Sequence, residues 1–122
     1  MSQELKEESI GARFRSTEEV FNDHLELAHI GDVDTDVSRN FAHDCVLPTS
    51  IGVFRGHKGV HEAADLLRQE LPNTRYEYRT RLVHDGMAFL QWAAIADGAR
   101  VDDGADSFLI SRDEVIQVMT FH

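Results

Sequence analysis

The sequence contains few residues that cross-link or stiffen a chain, with one cysteine and two prolines in 122 residues. The single cysteine, Cys45, excludes an intramolecular disulfide, so stability has to come from an apolar core. No apolar run is long enough to span a bilayer, and the first residues lack the charged-then-apolar pattern of a secretion signal. These absences predict a cytoplasmic protein.

Positive charge is also scarce, because 12 Lys and Arg stand against 22 Asp and Glu and give a net charge of −10. The basic residues are scattered along the chain and form no stripe. Such a surface repels nucleic-acid phosphates and anionic lipid headgroups. The composition therefore argues against nucleic acid and membrane surfaces as partners.

The length is typical of one domain, and a chain of this size can bury a sizeable core. Residues 1–15 are polar and lack an apolar face, which predicts a flexible leader. Residues 16–122 then form the single predicted domain.

The first predicted helix begins at Ser16, which has capping-box spacing to Glu19. Gly31 supplies its end. One face of this helix is apolar except for a histidine and comprises Val20, Phe21, His24, Leu27 and Ala28. The sequence therefore places an imidazole within a buried stripe.

Two further helices are predicted. Val33, Val37 and Phe41 repeat every fourth residue, which predicts a short helix over Asp34–Phe41 with a polar face. That polar face holds Asp36, Arg39 and Asn40. A tight connection over Val53–Gly59 leads into a third helix, which Pro72 ends and whose apolar face comprises Val60, Ala63, Ala64, Leu67 and Leu71.

The remaining segments show the alternation of β-strands. Cys45–Ile51 is predicted as a short strand, and Pro48 restricts it to an edge or a bulge. After Pro72, one face of the next strand carries Tyr76, Tyr78, Thr80 and Leu82, and the other carries Glu77, Arg79 and Arg81. Three more strands are predicted. The first is Met87–Ala96, between turns at Asp85-Gly86 and Asp97-Gly98. The second lies around Ala105–Ile110 with a bulge at Asp102-Asp103-Gly104, and the third runs from Glu114 after a turn at Arg112-Asp113.

Helices followed by antiparallel strands are typical of an α+β fold, in which the helices cover one face of the sheet. A strongly curved antiparallel sheet wrapped around the N-terminal helices forms a cone with an apolar interior. The order of elements therefore predicts a pocket for a small hydrophobic molecule inside this cone.

Four motifs in this order resemble a known group of proteins. They are Gly31-Asp32, Phe41-Ala42-His43-Asp44-Cys45-Val46, Phe54-Arg55-Gly56-His57-Lys58-Gly59-Val60 and Ala105-Asp106-Ser107-Phe108. Over residues 16–122 the chain resembles the cystatin-like, nuclear-transport-factor-2-like superfamily, and within it the SnoaL-like polyketide cyclases and the ketosteroid isomerases. The resemblance implies a cone-shaped α+β fold.

The resemblance also implies functional positions. Asp106 matches the acidic residue on the penultimate strand, which acts in SnoaL-like cyclases as an acid or base. In ketosteroid isomerases the residue there stays protonated and donates a hydrogen bond to an enolate oxygen. His24 stands where the isomerases have an oxyanion-binding tyrosine. Their general-base aspartate has no counterpart here, because Val46-Leu47-Pro48-Thr49 contains no carboxylate.

Each candidate residue has an ordinary structural alternative. Asp106 shares a strand face with Phe108 and Ile110, where desolvation would raise its pKa and make it a proton donor near neutral pH. Alternatively it lies in a loop and accepts backbone N–H groups. His24, paired across the cone with Asp106, could orient a carbonyl or move a proton, or it could be a core histidine with one hydrogen bond.

Trp92, between Leu90 and Ala94 on one strand face, is either core or pocket wall. The predicted substrate-binding residues are Phe54, Tyr78, Leu90, Trp92, Phe108 and Met119. The pair His43-Asp44 more simply caps the chain before its strand. His57 and His61 have the spacing of metal ligands but lack a third, so solvated histidines and no metal are predicted.

Two functions follow as hypotheses. The first is a cofactor-independent isomerase or cyclase that uses Asp106 and His24 for acid/base chemistry on a hydrophobic carbonyl compound. The second is a noncatalytic domain that binds a small hydrophobic ligand or a protein partner in the same cone. A homodimer through the polar outer sheet face, with Glu77, Arg79 and Arg81, is also predicted.

Overall fold

The computed structural model describes residues 15–111 and 115–121. In these residues, one six-stranded sheet has the strand order β2-β1-β6-β5-β4-β3. The helices are α1 (Thr17–Ile30), α2 (Val33–Asn40) and α3 (Gly56–Glu70), and the strands are β1 (Phe41–Thr49), β2 (Gly52–Arg55), β3 (Arg75–His84), β4 (Met87–Ala96), β5 (Ala99–Ile110) and β6 (Ile116–Phe121). This architecture confirms the predicted α+β class.

The local signals for α1 are confirmed. The Ser16 hydroxyl accepts a hydrogen bond from the backbone N–H of Glu19, and the Glu19 carboxylate accepts one from the backbone N–H of Ser16. Gly31 ends the helix with a φ of 81°. A positive φ costs least for glycine, which has no Cβ atom, and this explains the sharp end.

The predicted polar face of α2 is wrong for two of its three residues. Asp36 and Asn40 are buried, and only Arg39 is exposed. Val33, Asp36, Val37 and Asn40 have the spacing i, i+3, i+4, i+7 of a single helical face, and this face packs inward. Hydrogen bonds to neighbouring side chains make the burial of the two polar residues tolerable.

The region around β1 differs from the prediction in three ways. The strand begins at Phe41, so His43 and Asp44 lie within it rather than before it. It is flanked by β2 and β6 and is therefore not an edge, and the irregularity in its pairing lies between Phe41 and Val46 rather than at Pro48. The segment predicted as a connection, Val53–Gly59, contains most of β2 and the start of α3, and the short β2 forms the edge of the sheet instead.

Pairing of β1 with β6 is parallel, whereas the other pairings are antiparallel. The sheet is therefore mixed, and not antiparallel throughout as predicted. The last strand inserts between β1 and β5 and joins the N-terminal and C-terminal halves of the fold. Such a long-range pairing leaves no local pattern in the sequence.

A bulge reverses the face pattern of β3. Tyr78 pairs with Trp92, but Thr80 pairs with Gln91, so Arg79 is an additional residue. Tyr76 and Tyr78 face inward as predicted, while Thr80 and Leu82 pair with outward-facing residues of β4. Arg81 moves to the inner face, where its guanidinium lies 5.5 Å from the Tyr78 ring centroid.

The later strands follow the prediction closely. Asp85 has a φ of 52° in the turn between β3 and β4, and a register shift in the pairing of β4 with β5 marks the predicted bulge at Asp102-Asp103-Gly104. Alternation along β5 buries Asp106, Phe108 and Ile110 on the inner side. The predicted turn at Arg112-Asp113 and the predicted first residue of β6, Glu114, lie outside the described residues.

The core lies between α1 and the inner face of the sheet. Phe21 of α1 packs edge-on against Phe108 of β5, with ring centroids 5.2 Å apart.

No helix in the described ranges is long and apolar enough to cross a membrane. Most of the predicted leader lies outside the described residues, but Arg15 bonds to Asn40 and to the backbone carbonyl of Arg39.

The outer face is less polar than predicted. Glu77 and Arg79 are exposed as expected, but this face also exposes large apolar side chains. They are Leu82, Met87, Ile95 and Leu109. The homodimer stays a prediction.

Candidate active site

The concave side of the sheet and the helices line a cavity of about 550 Å³. Most of its wall is apolar and includes Leu25, Leu47, Val60, Leu67, Leu90 and Met119. Its polar and aromatic lining residues include His24, Asp36, Tyr76, Tyr78, Trp92 and Asp106. A mostly apolar pocket with a few converging polar groups is typical of a small-molecule site. We call it the central cavity.

Asp106 enters the central cavity from β5. Strand alternation turns its side chain inward, opposite Leu90 of β4, and leaves it 9% exposed. The carboxylate Oδ1 accepts a hydrogen bond of 2.9 Å from the indole Nε1–H of Trp92. The residue therefore lies in a strand and not in the loop of the alternative interpretation.

Gly104 allows the indole of Trp92 to reach this carboxylate. The two residues pair across β4 and β5, and a Cβ atom at position 104 would lie 2.2 Å from Cε2 of Trp92. Real Cβ atoms do not approach other atoms so closely. The glycine predicted as part of a bulge therefore leaves the space that the indole ring occupies.

His24 enters from α1 on the helical side of the central cavity. Its ring packs edge-on against Phe41 and Phe108, with centroid distances of 5.4 and 5.3 Å. Nδ1 lies 2.7 Å from Oδ2 of Asp36, on α2. The polar partner that the structure gives His24 is therefore Asp36, a residue of the predicted polar face of α2.

A polar network continues from Asp36 toward the surface. The Nδ2 group of Asn40 donates to Oδ1 of Asp36 and to Oδ2 of Asp23. Asp23 also accepts two hydrogen bonds from Arg39. Partial burial by itself would raise the pKa of Asp23, but the hydrogen bonds from Arg39 and Asn40 outweigh it and hold this pKa below its usual value.

Two tyrosines of β3 complete the aromatic wall. Tyr76 packs edge-on against Trp92 at a centroid distance of 5.7 Å, and the Tyr78 hydroxyl donates to the backbone carbonyl of Leu25 over 3.2 Å. Burial, with smaller contributions from Tyr76 and Asp106, raises the pKa of Tyr78 to about 12. Tyr78 therefore acts as a neutral donor at physiological pH.

This shift predicts how the phenols respond to alkali. The ordinary pKa is 10.0, so folding favours the neutral Tyr78, and that contribution to stability is complete below about pH 10 and disappears as the pH rises through about 12. In a spectrophotometric titration, tyrosinate absorbance of the folded protein should appear at higher pH than that of the urea-unfolded chain. Tyr78→Phe should remove the later part of the folded curve. Coincident folded and unfolded curves would contradict this expectation.

The structure separates the predicted substrate-binding residues into two groups. Tyr78, Leu90, Trp92 and Met119 line the central cavity together with His24 and Asp106. Phe108 lies behind the wall, where it contacts the rings of Phe21 and His24. Phe54 packs against the core from β2, away from the cavity lining.

The remaining candidates have structural partners. His57 donates from Nε2 to the backbone carbonyl of Phe41 over 2.7 Å and stacks on His43, so it is less solvated than predicted. Asp44 accepts from the Gln117 amide. Within the described ranges, no cluster of three or more His, Cys, Asp or Glu side chains could hold a metal. Cys45 is buried, which raises the pKa of its thiol.

Comparisons by sequence do not assign the chain, since no family model and no curated protein matches it. Comparisons by structure find an α+β architecture shared with many solved proteins. A nuclear-transport-factor-2-like protein of unknown function from Mesorhizobium loti has a TM-score of 0.74 at 19% identity, with 87% of this chain and 88% of that chain covered. The chain therefore has the nuclear-transport-factor-2-like fold.

Two further neighbours carry provisional enzyme names. A provisionally named polyketide cyclase from Sinorhizobium meliloti has a TM-score of 0.72 at 17% identity, covering 84% of this chain and 93% of that chain. A provisionally named isomerase of the SnoaL-like family from Agrobacterium tumefaciens has a TM-score of 0.65 at 20% identity, covering 82% and 96%. The predicted resemblance is confirmed at the level of the fold, which by itself assigns no activity.

Proposed function

We propose that this protein is a cofactor-independent enzyme of the isomerase or cyclase type that acts on a hydrophobic carbonyl compound. The observation that carries the proposal is that Asp106 and His24 line the same apolar cavity from different elements, one from the sheet and one from a helix. Asp106 exchanges a proton with the substrate or hydrogen-bonds the enolate oxygen, and His24 assists. The provisional names of the structural neighbours are consistent with this chemistry.

The second candidate is a noncatalytic domain that binds a hydrophobic ligand in the same cavity. Thr49 favours it, because this residue stands where the resembled isomerases have their general base. Its hydroxyl donates to the backbone carbonyl of Gly52 and accepts from the N–H of Ile51. Thr49 therefore closes the turn between β1 and β2 and supplies no base.

Ligand binding should be visible through the single tryptophan, because Trp92 lines the central cavity. A panel of hydrophobic ketones, each paired with its alcohol, should change the fluorescence of Trp92. Binding to the folded state should also raise the melting temperature, by mass action. A panel without any response would contradict both functions.

The same ketone and alcohol pairs distinguish the enzyme from the noncatalytic binding domain. In deuterated water, the enzyme should exchange the hydrogens next to the carbonyl of a bound ketone for deuterium, which proton NMR detects. The noncatalytic domain should bind a ketone and its alcohol without exchange above the buffer rate. Exchange therefore supports the enzyme, and binding without exchange across the panel supports the binding domain.

A further inference from the structure

A hydrogen-bond network runs from Arg15 through Asn40 and Asp36 to His24, which lines the central cavity. The starting point is Asn40, whose Oδ1 accepts a hydrogen bond of 2.8 Å from Arg15. This bond directs the other end of the amide, the NH2 group, toward the carboxylates of Asp36 and Asp23, at 2.9 and 2.8 Å. The orientation of the Asn40 amide is thereby set by acceptors on one side and a donor on the other.

Asp36 connects the Asn40 amide to His24. Its Oδ1 accepts from Asn40, and its Oδ2 lies 2.7 Å from Nδ1 of His24. An ionised carboxylate can only accept hydrogen bonds, so Nδ1 must carry the proton of this contact. In the neutral imidazole, Nε2 then has a free lone pair.

Nε2 is the ring nitrogen available to a ligand. Within residues 15–111 and 115–121, no hydrogen bond is found for Nε2 of His24. In the same residues every fully buried side-chain nitrogen or oxygen has a partner, so Nε2 cannot be fully buried. Nε2 is therefore accessible from the central cavity, which His24 lines. The rings of Phe41 and Phe108 hold the imidazole between them.

We propose that Asp36 is a positioning residue that holds His24 in the Nδ1–H tautomer, so that Nε2 is the proton acceptor of the reaction. This inference rests on the proposed function and names its base. Nε2 takes a proton from the carbon beside the carbonyl, the C–H electron pair forms the enolate double bond, and the carbonyl electron pair moves to oxygen. The carboxylate of Asp36 stabilises the resulting imidazolium, and return of the proton to a carbon regenerates His24.

Replacement of Asp36 by asparagine should reverse the tautomer. Asn40 still donates to Oδ1 of the new side chain, so the NH2 group of that side chain faces Nδ1 of His24. Nδ1 must then accept, and the proton moves to Nε2, which can no longer remove a proton from carbon. We expect the rate of hydrogen exchange in a bound ketone to fall about 10²- to 10⁴-fold.

The tautomer can be measured without a substrate. Two-bond proton–nitrogen NMR correlations of the full chain with ¹⁵N-labelled histidine, at a pH where the ring is neutral, show which nitrogen is protonated, and a spectrum of His24→Gln identifies the His24 signals. The wild type should have Nδ1 protonated and Nε2 bare, and Asp36→Asn the reverse. Asp34→Asn is the matched control, because the Asp34 side chain lies on the same helix and is 94% exposed.

The wild-type spectrum is decisive even where Asp36→Asn fails to fold. A wild-type His24 with Nε2 protonated overturns the proposal, as does a folded Asp36→Asn with the wild-type tautomer. The predicted tautomers in a protein that exchanges no ketone hydrogen would support the His24–Asp36 arrangement and overturn the enzyme function. The two failures are therefore distinguishable.

Discussion

Asp106→Asn should reduce the hydrogen exchange of a bound ketone by about 10²- to 10⁴-fold, because an amide cannot transfer a proton to the enolate oxygen that forms when Nε2 of His24 removes the proton from carbon. The substitution keeps the shape of the side chain, and the indole N–H of Trp92 can still donate to the amide oxygen in place of Oδ1. Stability should therefore be unchanged or improved. Urea unfolding and deuterium exchange of the same preparation measure the two effects separately.

Asp102→Asn is the matched control for this variant. Asp102 lies on the same strand, but its side chain is exposed and pairs with Arg100 at 2.6 Å. We expect the control to exchange ketone hydrogens at the wild-type rate. Full exchange activity in Asp106→Asn would remove Asp106 from the mechanism and leave His24 as its one catalytic residue.

Gly104→Ala should lower the free energy of unfolding by about 1–3 kcal/mol, the usual cost of overpacking a core. The new Cβ would lie 2.2 and 2.4 Å from two atoms of the Trp92 indole, so the ring or the strand has to move. Either movement disturbs the 2.9 Å hydrogen bond from the indole to Asp106. Urea unfolding and the emission wavelength of Trp92 report the loss.

A double-mutant cycle tests whether the indole is the cause. In a Trp92→Leu background the ring is absent, so Gly104→Ala should cost much less than it does in the wild type. An equal cost in both backgrounds would attribute the effect to the backbone of the bulge. In that case Gly104 would have no particular role in placing Trp92 against Asp106.

Much of the candidate site could be predicted because strands and helices place side chains by simple periods. Alternation along β5 put Asp106 on the same side as Phe108, and the helical stripe of α1 put His24 on the buried face. Two of the predicted lining residues, Phe54 and Phe108, lie outside the cavity wall. Periodicity predicts that an apolar residue is buried, but it does not distinguish the core behind the wall from the wall itself.

The burial of Asp36 could have been predicted from the helical spacing of its neighbours. The spacing of Val33, Asp36, Val37 and Asn40 is that of one buried helical face, and a buried histidine requires an acceptor. Counting only every fourth apolar residue placed Asp36 on the surface instead. The sequence does not show that α2 places Asp36, bonded to Asn40, against His24 of α1.

The sequence by itself determined the features that depend on neighbouring residues: the capping box of Ser16, the end of α1 at Gly31, the turn at Asp85-Gly86 and the inward face of β5. Only the tertiary structure decided the parallel pairing of β1 with β6, the bulge at Arg79 and the contact between His24 and Asp36. The first group follows from backbone conformation over a few residues. The second joins residues that are distant in the chain or depends on strand register, and those are set when the whole core packs together.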